Sequence, residues 1–311
     1  MENIWNRISQ FKVFGKLPKK QEVELALSFF SRKEWLVFYG LTLVLILSTL
    51  AILQSINQSF MESVPAEGGK ISEGIIGTPR FVNPVLAFSD ADRDLVSLVY
   101  SGLMRKNQNG ELIPDLAEKY EVSKDGLVYN FTLKDKTFFH DETPLTAYDI
   151  LFTINQIKDP IIKSPRKGNW DGVDVDVIDE KNIQFTLKQP YASFLANTTL
   201  GIMPEKLWSN SPMELNELNI NPIGSGPYFV SNVKKQSSGL IDSYELKSFN
   251  KFALGKPFIK KLTLYFYQNE EKLLTALENM EVDQISSITP LKALALKEKV
   301  LLTKMLLKQL T

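Results

Sequence analysis

The apolar and polar positions of this chain change rhythm along its length, and each change predicts an element. From Trp35 to Leu53, WLVFYGLTLVLILSTLAIL, the sequence runs without a charge, and the next charged residue is Glu62. A helix of that length covers roughly 28 Å, near the hydrocarbon thickness of a bilayer. Arg7, Lys12, Lys16, Lys19, Lys20, Arg32 and Lys33 precede the run, and Trp35 and Tyr39 sit where interfacial aromatics belong. The pattern predicts a cytoplasmic leader over 1–34, a single-pass signal anchor over 35–53 and a tether over 54–69, ending in ESVPAEGG. Everything beyond the anchor is then extracytoplasmic. A cleaved signal peptide is the alternative, opposed by the long leader and by the lack of a small-x-small site in Gln54–Phe60.

Beyond the tether the periods become those of a globular domain. Lys70–Ile76 reads as a first strand. Ser89 or Asp90 caps a helix with Leu95, Leu98 and Val99 on one face and Gly102 at its end. In Leu112–Ile154, a strand starts at Tyr120 and Val122, Lys124-Asp125-Gly126 makes a hairpin turn, and a second strand follows. There Tyr129, Phe131 and Leu133 alternate with Val128, Asn130 and Thr132, the period of a half-buried strand. After a polar turn, Thr146 opens a helix with Asp149 as its capping partner and Ile150, Leu151 and Ile154 as its stripe. Val173–Val177 and Ile183–Leu187 form another hairpin, and strands follow over Ser225–Val230, Ile241–Phe249 and Lys260–Tyr267. Asn269 caps a helix with Leu273, Leu274 and Leu277 inward, and Thr289-Pro290 starts a further one. Strands and helices mixed in this way predict an α/β (mixed α+β) domain.

Composition narrows the chemistry. The 311 residues carry 36 basic and 36 acidic side chains, so no nucleic-acid partner is implied. There is no cysteine, which removes disulfides, thiolate metal sites, a thiol nucleophile and a lipid-modified cysteine anchor together. His140 is the only histidine. A metal site needs three or four converging ligands and a triad needs a nucleophile, so His140 reads as a turn residue. Asp171, Asp174, Asp176 and Asp179 have the spacing of a strand's solvated face rather than of a calcium loop. Gly224-Ser225-Gly226 is neither a nucleophile elbow nor a dinucleotide loop. It reads as a tight crossover, or as a place where backbone amides touch a ligand. No catalytic residue, cofactor or metal is expected.

Several runs together carry a resemblance. PDLAEKYEVSKDGLVYNFTLK followed by FHDETPLTAYDI, the block Gly77-Thr78-Pro79-Arg80-Phe81-Val82-Asn83-Pro84 ahead of Val99-Tyr100-Ser101-Gly102-Leu103, the turn Ile223-Gly224-Ser225-Gly226-Pro227-Tyr228, and Asn250-Lys251-Phe252 with Gly255-Lys256-Pro257 resemble the family 5 extracellular solute-binding proteins. Glu142 departs from the pattern, where the family usually has Gly, and Phe252 stands for a Trp.

The resemblance implies lobes of the type II periplasmic-binding-protein kind. Lobe I is expected over 70–102 and 223–311, lobe II is inserted over 103–222, and a C-terminal lobe lies beyond this sequence, which is expected to be an N-terminal fragment. It implies a receptor of an ABC importer that binds dipeptides or oligopeptides as a monomer, with ABC permease subunits as partners and the bilayer engaged through Trp35–Leu53. Phe81, Asn83, Pro84 and Phe88, in the loop after the first strand, are the expected ligand contacts, with Gly224, Ser225 and Gly226 beside them. A fragment would bind peptide weakly or not at all. The alternatives are a non-peptide cargo such as nickel or an oligosaccharide and, from another class, a membrane-tethered hydrolase relying on a carboxylate pair.

Overall fold

A computed structural model describes residues 28–60, 66–209, 211–286, 288–294 and 296–297. The chain divides into two units, Met1–Val64 and Pro65–Thr311. Most of the leader and the end of the last expected helix lie outside the described residues.

In the first unit, helix α1 spans Arg32–Phe60. It contains the charge-free run and is long and apolar enough to cross a membrane by length and composition, and none of its apolar window is buried. Seven residues assigned to the tether, 54–60, continue the helix, since Gln54–Phe60 holds neither Gly nor Pro to stop it.

The second unit is mixed α/β. Its elements are β1 (Gly68–Ile76), α2 (Asp90–Val99), β2 (Met104–Lys106), β3 (Leu112–Pro114), β4 (Ala117–Val122), β5 (Val128–Leu133), α3 (Ala147–Lys158), β6 (Val173–Val177), β7 (Asn182–Leu187), β8 (Tyr228–Lys235), β9 (Ile241–Ser248), β10 (Ile259–Tyr267), α4 (Glu270–Glu278) and β11 (Gln284–Ile285).

Two sheets carry it. The larger has the order β11-β1-β10-β9-β8. In it β1 lies parallel to both β10 and β11, and the hairpin partners β9 and β8 extend the sheet antiparallel. The smaller sheet, β4-β5-β7-β6, is antiparallel throughout. Strict alternation fixes its inner face: Tyr129, Phe131 and Leu133 of β5 and Ile183, Phe185 and Leu187 of β7 are buried while their neighbours are not. A register slip of one residue in either strand would turn its three outward. Trp170 and Phe194 close over Phe185, with ring centroids 5.9 and 5.6 Å away. A short ribbon, β2–β3, leads from the larger sheet toward the smaller.

Several expected boundaries move: β1 begins at Gly68 rather than Lys70, and β4 at Ala117 rather than Tyr120. Helix α2 stops at Tyr100, whose backbone is extended, two residues before Gly102. Gly102 serves packing instead: a Cβ there would lie 2.7 Å from the Leu200 carbonyl oxygen. The strand expected from Ser225 begins only at Tyr228, because Gly226 donates its amide to Val99 at the end of α2 rather than to a sheet partner.

Candidate functional site

The loop between β1 and α2 is built around one carboxylate. Asp92, in the first turn of α2 and 3 % exposed, accepts from the amides of Arg80 (2.7 Å) and Phe81 (3.0 Å) with Oδ1. Its Oδ2 accepts from Ser89 (3.1 Å) and Phe88 (3.4 Å). Ser89 returns the bond by accepting from the Asp92 amide, so a capping box starts the helix and the same acid gathers the loop. The Ser-x-x-Asp spacing was the available sequence signal for Asp92, and cap assignment alone missed its reach back to Arg80.

The four expected contacts of this loop fare differently. Asn83 is wholly buried, its Nδ2 donating to Asn219 Oδ1 at 3.2 Å and its Oδ1 accepting from the Val85 amide at 2.8 Å. Pro84 is buried against Gly201. These two shape the loop from inside. Phe81 is half-buried beneath the Arg80 guanidinium, 5.6 Å from its ring centre. Phe88 is 74 % exposed, an apolar surface turned to solvent.

The crossover Gly224-Ser225-Gly226 passes beneath the end of α2. A Cβ on Gly224 would stand 2.1 Å from the Val99 oxygen, and one on Gly226 2.6 Å from the Val99 carbonyl carbon. Only glycine lets the backbones approach this closely. The crossover is also fastened by His140. The His140 amide donates to the Gly224 carbonyl (2.7 Å), Nδ1 accepts from the Gly224 amide (3.2 Å), and Nε2 lies 3.1 Å from the Gly226 carbonyl. The amides of Gly224 and Gly226 are thus engaged within the protein and are not exposed, unlike the arrangement expected of ligand contacts. Ser225 is 2 % exposed, and its hydroxyl has no partner. Tyr100 joins the two groups of candidates, since a Cβ on Gly201, beside Pro84, would meet its Cβ at 2.6 Å and one on Gly224 its Cδ1 at 2.9 Å.

Burial sets the electrostatics. It lowers the His140 pKa to about 4, against weaker support from the Gly226 carbonyl and Asp141. Asp115, beside Ser101, is pushed up to about 6 by burial, with the Ser101 hydroxyl, Arg105 and Lys134 pulling the other way. Among the described residues no three His, Cys, Asp or Glu side chains converge as metal donors. The acidic run of β6 leaves Asp174 and Asp176 exposed, and Asp179 caps the following turn by accepting from the Lys181 and Asn182 amides.

Residues 111–305 match the family model of bacterial extracellular solute-binding proteins, family 5 Middle. The chain belongs to this family. The oligopeptide-binding protein AppA of Bacillus subtilis is 28% identical over 232 residues, which make up 72% of this chain and 42% of AppA. Among solved structures, the ABC transporter substrate-binding protein CtaP of Listeria monocytogenes is 31% identical with a TM-score of 0.65, covering 75% of this chain and 47% of CtaP. NikZ of Campylobacter jejuni, in complex with Ni(L-His), is 30% identical with a TM-score of 0.63, covering 69% of this chain and 42% of NikZ. The chain spans about two fifths of the length of the curated relatives it matches. These likenesses bear out the expected family and the periplasmic-binding-protein-like mixed α/β fold.

Proposed function

We propose that this chain belongs to a membrane-anchored extracytoplasmic receptor that captures peptides and passes them to the permease of an ABC importer. The observation that carries the reading is the family 5 match over 111–305, joined to the likeness to AppA and CtaP. In this reading α1 is retained as a single-pass anchor with its N-terminus in the cytoplasm. Residues 70–102 and 223–311 belong to lobe I and 103–222 to lobe II, and the receptor acts as a monomer. The loop from Gly77 to Phe88 is the ligand-facing element, with Phe81 and Phe88 as its side-chain contacts. Asn83, Pro84 and the glycines of the crossover hold it in place. An extended peptide paired through its backbone would be gripped with little dependence on its sequence.

The test is ligand-observed NMR on the full chain in nanodiscs with a mixture of tri- to pentapeptides. Saturable binding at about millimolar strength is expected. No response to any peptide, with a response to Ni(L-His) instead, would favour the second reading, a non-peptide cargo, which the likeness to NikZ motivates.

A further inference from the structure

We propose that the end of the larger sheet from which β1 starts is a bilayer-contacting surface for anionic lipid headgroups, an assignment that rests on α1 acting as a retained anchor. Three strands present lysines there in register: Lys70 of β1 stands beside Lys261 of β10, and Lys261 beside Lys247 of β9. Residues so paired share one face of a sheet, with their strands about 5 Å apart. Lys256, in the loop between β9 and β10, and Lys260, at the start of β10, add to the charge. Lys261 is neutralised by Glu245 at 2.7 Å and Lys256 by Glu67 at 3.1 Å. Among the described residues no carboxylate lies within ion-pair distance of Lys70, Lys247 or Lys260. Asp283, bonded to Ser72, is the next acid inward along β1. Like charges on neighbouring strands repel, and an anionic partner offsets that repulsion.

The same end carries uncovered apolar surface. Leu254, Phe258 and Ile259 are 40, 54 and 36 % exposed, and all three lie where the chain runs into β10. Lysines around exposed aromatic and aliphatic side chains suit a membrane interface, with ammonium groups among the headgroups and apolar groups at the acyl boundary. The covalent path selects the bilayer from among anionic partners. Helix α1 ends at Phe60 and β1 starts at Gly68, so only residues 61–67 connect them. A chain of that length, fully extended, reaches at most about 25 Å. The Gly68 amide donates to the Phe258 carbonyl at 2.7 Å, and the preceding residue, Glu67, is the partner of Lys256. The connection from α1 therefore enters the second unit at this loop. With α1 in a bilayer, the loop meets the lipid surface at high effective concentration, an advantage that no soluble anion shares. The attraction of lysines to an anionic surface acts within a Debye length, about 8 Å at physiological salt, so the apolar contacts would hold the lysines in range.

The chain has no cysteine, so single-cysteine variants of the full chain in nanodiscs each accept one nitroxide. Leu254→Cys reads the surface, Gly40→Cys reads α1, and Ile178→Cys, exposed in the turn between β6 and β7, is the control. Collisions with oxygen and with a water-soluble nickel chelate report lipid and water contact. In discs of phosphatidylcholine and phosphatidylglycerol, nickel should reach the label at 254 about threefold less than the label at 178. Combined Lys70→Gln, Lys247→Gln and Lys260→Gln should remove that protection. Molar salt should remove it from the parent chain, a measurement that needs no lysine variant to fold. A label at 40 in hydrocarbon with the label at 254 as wet as the control overturns the surface and leaves the anchor reading in place. A wet label at 40 removes the anchor reading and the surface with it. Equal protection in pure phosphatidylcholine overturns the headgroup assignment. Spin–spin broadening between labels at 254, in discs that hold two chains, puts a second copy there and overturns it as well.

Discussion

His140 and Gly224 are bonded twice, amide to carbonyl and ring to amide, across 84 residues of sequence. Because Nδ1 accepts from the Gly224 amide, the neutral ring must carry its proton on Nε2, which donates to Gly226. A second ring proton would remove the Gly224 bond. With its pKa lowered from 6.5 to about 4, His140 binds protons more readily in the unfolded chain. Its contribution is therefore complete above pH 6.5 and is lost as the pH falls toward 4, at most about 3 kcal/mol. The difference in thermal stability between the parent and His140→Gln should shrink over that window. A difference independent of pH would rule this out.

Asp115 works in the opposite sense. Its carboxyl, raised from 3.8 to about 6, opposes folding when charged, so acidification from pH 6 to 4 relieves a strain that is present at neutrality. Asp115→Asn should raise stability at pH 7 by about 1–3 kcal/mol and make no difference near pH 4. Urea midpoints at the two pH values measure it, and a variant less stable at pH 7 would contradict the account.

Gly224→Ala places a methyl group 2.1 Å from the Val99 oxygen, an atom of rigid backbone. A loss of about 3 kcal/mol or more is expected, seen as a large drop in melting temperature. Gly168→Ala, which meets nothing within 4 Å, serves as the control and should stay within about 0.5 kcal/mol of the parent.

Glu142 sits at φ 67°, in left-handed backbone, and its carboxylate reaches Lys251 at 2.9 Å. Both partners are well exposed, so that ion pair contributes little. Glu142→Gly and Glu142→Ala lack the pair equally and differ in tolerance of the positive φ. The glycine variant should be the more stable by about 1 kcal/mol in melts of the two side by side. Equal melting temperatures would show that the turn relaxes.

The sequence made the local elements readable where one period ruled. The alternation of Tyr129, Phe131 and Leu133 found its buried face, and Thr146 with Asp149 and Asn269 found helix starts, since each signal lies within a few residues. The departure at Glu142 was visible too, and its positive φ accounts for the glycine usual there. What the sequence hid were relations across distance. Nothing near Gly102 announces the Thr198–Leu200 backbone pressing on it. Asn83 is a polar residue in a loop, a plausible contact on paper, and its burial depends on Asn219, 136 residues away.

The parallel pairing of β1 with β10 sets Ile75 against Phe266, with nearly the whole second unit between them. Since β1 takes its place between β10 and β11, it cannot settle until both of those strands have been made. The smaller sheet, made of neighbouring hairpins, can form early. The larger one must wait for β10 and β11, and until then both edges of β1 stand without a partner strand.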